Sequence, residues 1–156
     1  MFLYDEFIEI AKMMNKELNI IPVLYGSLGL EKVTEIEFSP QDIDILVPLT
    51  FLEEKWELLE AVLGRLGYEL IDLHELEFQK GNVKIGISYY EDLKKFADVD
   101  YNNLKKNEDS GAIYRTLSIS EYLKVYKRSS IDGYRRTKKD NKDQSKIQIL
   151  NELLHD

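Results

Sequence analysis

The stretch from Leu24 to Pro48, LYGSLGLEKVTEIEFSPQDIDILVP, constrains the fold most, because it sets two carboxylates inside an otherwise apolar strand. Ile43, Ile45, Leu46 and Val47 read as a strand entering a core, where a carboxylate is costly unless it is paired or meets a cation. Residues two apart in a strand share a face. Asp42 and Asp44 therefore project together, and Ile43 and Ile45 project to the other side. Convergent carboxylates form a hard-oxygen site suited to Mg²⁺ or Mn²⁺ held against nucleotide phosphates. Upstream, Ile20 to Tyr25 reads as a strand ending in a Gly26-Ser27 turn. A short helix from about Leu28 to Val33 aims its unpaired N–H groups at that turn, and such an end binds phosphate well.

Elsewhere the hydrophobic period alternates between helix and strand. Phe7, Ile10, Ala11, Met14 and Leu18 fall at helical spacing, as do Leu52, Trp56, Leu59, Leu63 and Leu66, the second stripe ending at Gly67. Tyr68 to Phe78 and Val83 to Tyr90 predict a hairpin across Lys80-Gly81-Asn82. From Glu91 to Ser110 the pattern weakens, and NNLKKNEDSG reads as a surface loop. Ala112 to Leu117 reads as a short strand. A helix through about Lys127, capped by Ser118 or Ser120, and a last helix from about Thr137 to Leu154 complete the chain. The expected architecture is α+β (or α/β): a mixed sheet flanked by helices, with a helical C-terminal appendage. We read residues 1–156 as one domain, with a sheet-containing core over 1–106 and a helical part over 112–156.

A strand ending in Gly-Ser, a helix, and a strand opening with Asp-x-Asp before aliphatics resembles the nucleotidyltransferase superfamily, which includes small antibiotic-modifying and antitoxin-type members. Gly26 and Ser27 match its turn, and Asp42 and Asp44 its acids, with fourteen residues between Ser27 and Asp42. That gap is long for the minimal members. The run LSISEYLKVYKRSSIDGYRRTKKDNKDQSKIQIL is similar to the helical tail of many such proteins, with Lys127, Arg136, Lys139, Asp140 and Asp143 at the matching positions. The resemblance implies that Gly26 and Ser27 hold a nucleoside triphosphate, with Lys127, Arg136 and Lys139 as cationic partners. It makes Asp42 and Asp44 the catalytic, metal-binding pair. The acceptor would be a hydroxyl on an unidentified small molecule or protein.

One departure matters as much as the matches. Active members carry a third carboxylate on a later strand, and the corresponding segment here, VKIGIS, centres on Gly86. Glu75, Glu77, Asp98 and Asp100 are the available substitutes, and nothing in the spacing selects among them. The alternative reading is a catalytically silent nucleotide-binding or protein-interaction module, antitoxin-like. Each motif also has a plainer reading: Asp42 as a turn residue after Pro40, Asp44 as a rim carboxylate beside a Lys, Ser27 as a helix N-cap.

The net charge of −8 argues against a whole-surface attraction to nucleic acid. Its distribution is uneven: residues 124–146 carry nine basic and three acidic side chains, which suits a compact anion. The opening MFLYDEFIEI holds acids where a secretory signal holds Lys or Arg, and no apolar run approaches a membrane span. With no cysteine in the chain, the expectation is a cytoplasmic protein without disulfides or a membrane partner.

Overall fold

Ile43, Ile45 and Val47 are completely screened from solvent, and the sheet is assembled around them. The computed structural model describes residues 2–131 and 133–155, with the side chains of 131–143 outside that description. In order, the elements are α1 (Phe2–Leu18), β1 (Val23–Tyr25), α2 (Gly26–Thr34), β2 (Asp42–Val47), a 3₁₀ turn (Leu49–Leu52) and α3 (Trp56–Arg65). There follow β3 (Glu69–Asp72), β4 (Glu77–Lys80), β5 (Val83–Tyr89), α4 (Asp92–Ala97), a 3₁₀ turn (Tyr101–Asn103), β6 (Lys105–Asp109), β7 (Ala112–Thr116), α5 (Ile119–Ile131) and α6 (Gly133–His155). The strands form one seven-stranded mixed sheet in the order β3-β4-β5-β2-β1-β7-β6. β2 runs parallel to β5 and β1 parallel to β7; the other neighbours are antiparallel. The fold class is thus the α+β arrangement that the sequence predicts.

Three expectations need correction. The presumed loop NNLKKNEDSG holds β6, which pairs with β7 from Lys105↔Thr116 to Asp109↔Ala112. Its residues are polar because an edge strand needs only backbone partners, and Lys and Glu there discourage further pairing. The first limb of the hairpin is also broken. Leu73 to Leu76 form a turn, and Leu76 adopts a left-handed φ of 55°, so β4 begins afresh at Glu77. The C-terminal helices are longer than predicted, because Ser129 and Ser130 stay helical. Ser130 Oγ donates to the Lys127 carbonyl 2.9 Å away, which satisfies its hydroxyl within the helix.

The chain forms two compact units. One spans the sheet, from the start to Tyr90 together with Lys105–Thr116; the other comprises Glu91–Leu104 and everything from Leu117 onward. In the sheet unit, Phe7, Ile10 and Met14 of α1 and Leu59 and Leu63 of α3 share one core with Ile43, Ile45, Phe78 and Ile85. Burying each such side chain stabilises by about 1.5–3 kcal/mol. The helical stripes are therefore what hold one face of the sheet dry. In the other unit α5 packs on α4 and α6, with Tyr122 stacked on Tyr126 and Leu150 of α6 fully buried. No helix among the described residues is long and apolar enough to cross a membrane.

Two polar clusters tie α1 to the sheet. Tyr4 donates to Asp109 Oδ2 at 2.6 Å, and its oxygen lies 2.9 Å from that of buried Tyr114. Glu6 Oε1 accepts from the Tyr68 hydroxyl at 2.6 Å and meets Lys80 Nζ at 2.7 Å. Its hydrogen bonds from Lys80 and then Tyr68 hold the Glu6 carboxyl below the usual glutamate range. A carboxyl depressed in the folded state adds stability above its unfolded pKa, and that stability is lost as pH falls through the folded value. We therefore expect Glu6→Gln to melt lower than wild type at neutral pH, with the difference narrowing on acidification below about pH 4.3. Melting curves from pH 7 to pH 3 check this; a difference that is constant with pH would show that the pair contributes packing alone.

Candidate active site

Period-two alternation in β2 sends Ile43, Ile45 and Val47 into the core and leaves Asp42 exposed and Asp44 partly buried on the opposite face. The two acids thus share a face, as their spacing predicts. Antiparallel pairing sets Asp44 opposite Tyr25, the last residue of β1, and Gly26 follows directly. The chain turns there with Gly26 at φ 64°. An L side chain in that conformation costs about 1–2 kcal/mol, so the turn favours glycine on backbone grounds alone.

Space makes the same demand. A Cβ on Gly26 would sit 3.0 Å from both Cβ and Cγ of Asp44 and overlap its Oδ2. On the other side, parallel pairing sets Asp44 against Gly86 of β5, where a Cβ would lie 3.1 Å from Asp44 Oδ1. The Asp44 carboxylate is therefore flanked by two glycines, Gly26 just after β1 and Gly86 in the middle of β5. Gly26 also opens α2, with Tyr25 as N-cap and no side-chain cap bond. Ser27 lies within the first turn of that helix, so the plainer reading of Ser27 as the N-cap does not hold. The arrangement brings Gly26 beside Asp44, and Ser27 follows it in the first turn of a helix whose first N–H groups have no intrahelical partners.

The sheet register adds residues that sequence spacing does not reveal. Lys84 pairs with Asp42, and Gln79 with Lys84, giving one row on the acidic face. Glu77 pairs with Gly86, so Glu77, Gly86, Asp44 and Tyr25 form the next row. Among the described residues, no group of three or more His, Asp or Glu side chains stands gathered as a metal cluster. Lys127 is an exposed residue of α5, in the second unit. Arg136 and Lys139, with Asp140 and Asp143, fall in α6 where their side chains lie outside the described residues.

Two carboxylates on one face are hard-oxygen donors of the kind a divalent cation takes, and Gly26 and Gly86 border one of them. No family model matches the chain. It is 68% identical over 154 residues to the uncharacterized protein YnaI of Bacillus subtilis (strain 168), covering 99% of each. Among solved structures it is similar to ANT(2")-Ia in complex with adenylyl-2"-tobramycin, with a TM-score of 0.59 at 15% identity, over 97% of this chain and 90% of that one. It is also similar to an antigenic nucleotidyltransferase-like protein from Paracoccidioides brasiliensis, with a TM-score of 0.58 at 15% identity, over 96% and 77% of the two chains. At such identities the likeness establishes a nucleotidyltransferase-like fold.

The glycines on either side of Asp44 differ in their demands, and this can be measured. Gly26→Ala should destabilise by at least the 1–2 kcal/mol or so of its left-handed backbone, and more because the new methyl meets Asp44. Gly86→Ala should cost less, since its backbone is ordinary and only the mobile end of a carboxylate must yield. Denaturant midpoints of the two variants beside wild type test the order. Equal midpoints would mean that Gly26 and Gly86 are interchangeable spacers.

Proposed function

We propose that this chain, which belongs to the same family as YnaI of Bacillus subtilis and has a nucleotidyltransferase-like fold, binds a nucleoside triphosphate with a divalent cation and transfers a nucleotidyl group to a hydroxyl. The observation that carries the reading is the placement of Asp42 and Asp44 on one face of β2, with Gly26 against the Asp44 carboxylate. Asp42 and Asp44 would hold Mg²⁺ or Mn²⁺, which supplies charge neutralisation on the phosphates when bound. Gly26 and Ser27 would present backbone N–H groups to the triphosphate at the start of α2. Lys127, Arg136 and Lys139 complete the proposal as cationic partners, with the whole chain acting as one functional domain in the cytoplasm. The acceptor is a small molecule or a protein side chain. ANT(2")-Ia, whose fold is similar, was crystallised with an adenylylated aminoglycoside, which makes hydroxyl-bearing small molecules the first class to try.

Gly86 favours a second reading. A member without a carboxylate on β5 is a candidate for silent nucleotide binding, acting through a protein partner as an antitoxin does. The transferase reading and the silent nucleotide-binding reading both require the triphosphate to bind, whereas a pure protein-interaction module does not.

Titration with ATP or GTP plus Mg²⁺ should therefore raise the melting temperature, since a ligand specific to the folded state stabilises it by mass action. At a hundredfold excess over Kd the gain is about 2.7 kcal/mol. Asp44→Asn should abolish most of the Mg²⁺-dependent part while the variant still unfolds cooperatively. No shift with either nucleotide at millimolar concentration would reject the triphosphate site and both readings with it.

A further inference from the structure

Four carboxylates outside β2 are available to replace the acid missing at position 86, and the structure separates them. Glu75 lies exposed in the turn before β4, outside the sheet. Asp98 is exposed and ion-paired with Lys94 at 2.6 Å. Asp100 caps the 3₁₀ turn Tyr101–Asn103 by accepting from the Asn102 N–H. Glu77 is not committed in this way; it is partly buried, and among the described residues no hydrogen bond or ion pair engages its carboxylate.

Its position is fixed from both directions. Phe78, the next residue, is fully buried in the core beside Ile85, so alternation sends Glu77 to the face that carries Asp42 and Asp44. Leu76, in its left-handed conformation, accepts the Ile87 N–H at 3.0 Å, which sets the register in which Glu77 stands opposite Gly86. Glu77, Gly86 and Asp44 then lie in one row on three adjacent strands. Two strand spacings, about 10 Å, separate the backbones of Glu77 and Asp44. Gly86 leaves the ground between them without a side chain. Glutamate is one methylene longer than aspartate, so a carboxylate carried on β4 can lean over the vacant position on β5 toward the space an aspartate there would serve.

We propose that Glu77 is the general base of this protein, its carboxylate displaced by one strand and the loss at Gly86 offset by the longer side chain. This rests on the proposed nucleotidyl transfer. In the step, a Glu77 carboxylate oxygen takes the proton of the acceptor hydroxyl as the hydroxyl's own oxygen bonds to the α-phosphorus. The bond from the α-phosphorus to the bridging oxygen breaks, and pyrophosphate leaves with the electron pair. The glycine on β5 is then a necessary companion of the glutamate on β4 rather than the mark of a silent site.

The test is pyrophosphate release from Mg·ATP or Mg·GTP with a panel of polyhydroxylated acceptors, aminoglycosides included, for wild type, Glu77→Gln and Glu77→Gln/Gly86→Asp. A positioned base contributes a factor of about 10² to 10⁴, so Glu77→Gln should lose that much in kcat. Its Mg·ATP-dependent rise in melting temperature should stay that of wild type. The double variant, with a carboxylate returned to β5, should recover at least tenfold. Wild-type turnover that survives in Glu77→Gln would overturn the assignment, as would a wild type that binds Mg·ATP yet turns over nothing. Loss of the Mg·ATP thermal shift in Glu77→Gln would do so too, by making the residue part of the binding site. A wild type with no thermal shift would instead reject the triphosphate site itself.

Discussion

Strand β2 has one dry face and one that carries Asp42 and Asp44 ahead of buried Leu46, and everything else about the site depends on keeping them distinct. Ile43, Ile45 and Val47 fix the dry side, because a slip of one residue would bury Asp42 and Asp44 and expose all three aliphatics. That penalty far exceeds what any single polar contact on the other face contributes. The helices α1 and α3 reinforce it from below, through Phe7, Met14, Leu59 and Leu63. The core thus sets which face of β2 carries the two acids.

Much of this was legible in the sequence because it is periodic. The alternation in DIDILV translates directly into β2 and the stripe from Trp56 to Leu63 into α3, while Leu52 falls in the preceding 3₁₀ turn, and Gly67 follows the helix with φ 95°. The Gly-Ser turn and the shared face of the two aspartates followed from the same local rules. What was not legible is register between strands distant in the chain. That Gly86 faces Asp44, that Lys84 faces Asp42, and that Glu77 alone among the spare acids shares their row are consequences of β4-β5-β2 pairing. No spacing rule reports it. The β6 edge strand escaped for a different reason: Lys105 to Asp109 has no apolar face, so its strand character lies entirely in backbone hydrogen bonds to β7.

The two kinds of similarity carry different weight. Identity of 68% over the full length makes the B. subtilis relative the same fold and family, but it transfers no chemistry. The nucleotidyltransferase-like structures share the architecture at 15% identity, and architecture hosts many activities. Between them stands the local geometry, and there the informative positions are glycines. Gly26 needs its left-handed turn and the room beside Asp44, and the register places Gly86 between two carboxylate-bearing strands.

A strand interior is a costly place for glycine, since it forfeits packing and adds backbone entropy to the unfolded chain. In β5 the residues on either side, Ile85 and Ile87, are buried β-branched side chains that favour the strand strongly, so the local sequence absorbs that cost. An alanine at 86 would have its Cβ only 3.1 Å from Asp44 Oδ1, and a larger side chain would cover the row between β4 and β2. An aspartate there would place a third negative charge against Asp44 while Glu77 still faced the same ground, and like charges held close disfavour joint ionisation. The pairing of a glycine on β5 with a glutamate on β4 is therefore one physical solution, in which a single acid approaches Asp44 from a distance its flexible side chain can adjust. A change at either position alone leaves the row with too many carboxylates or too few.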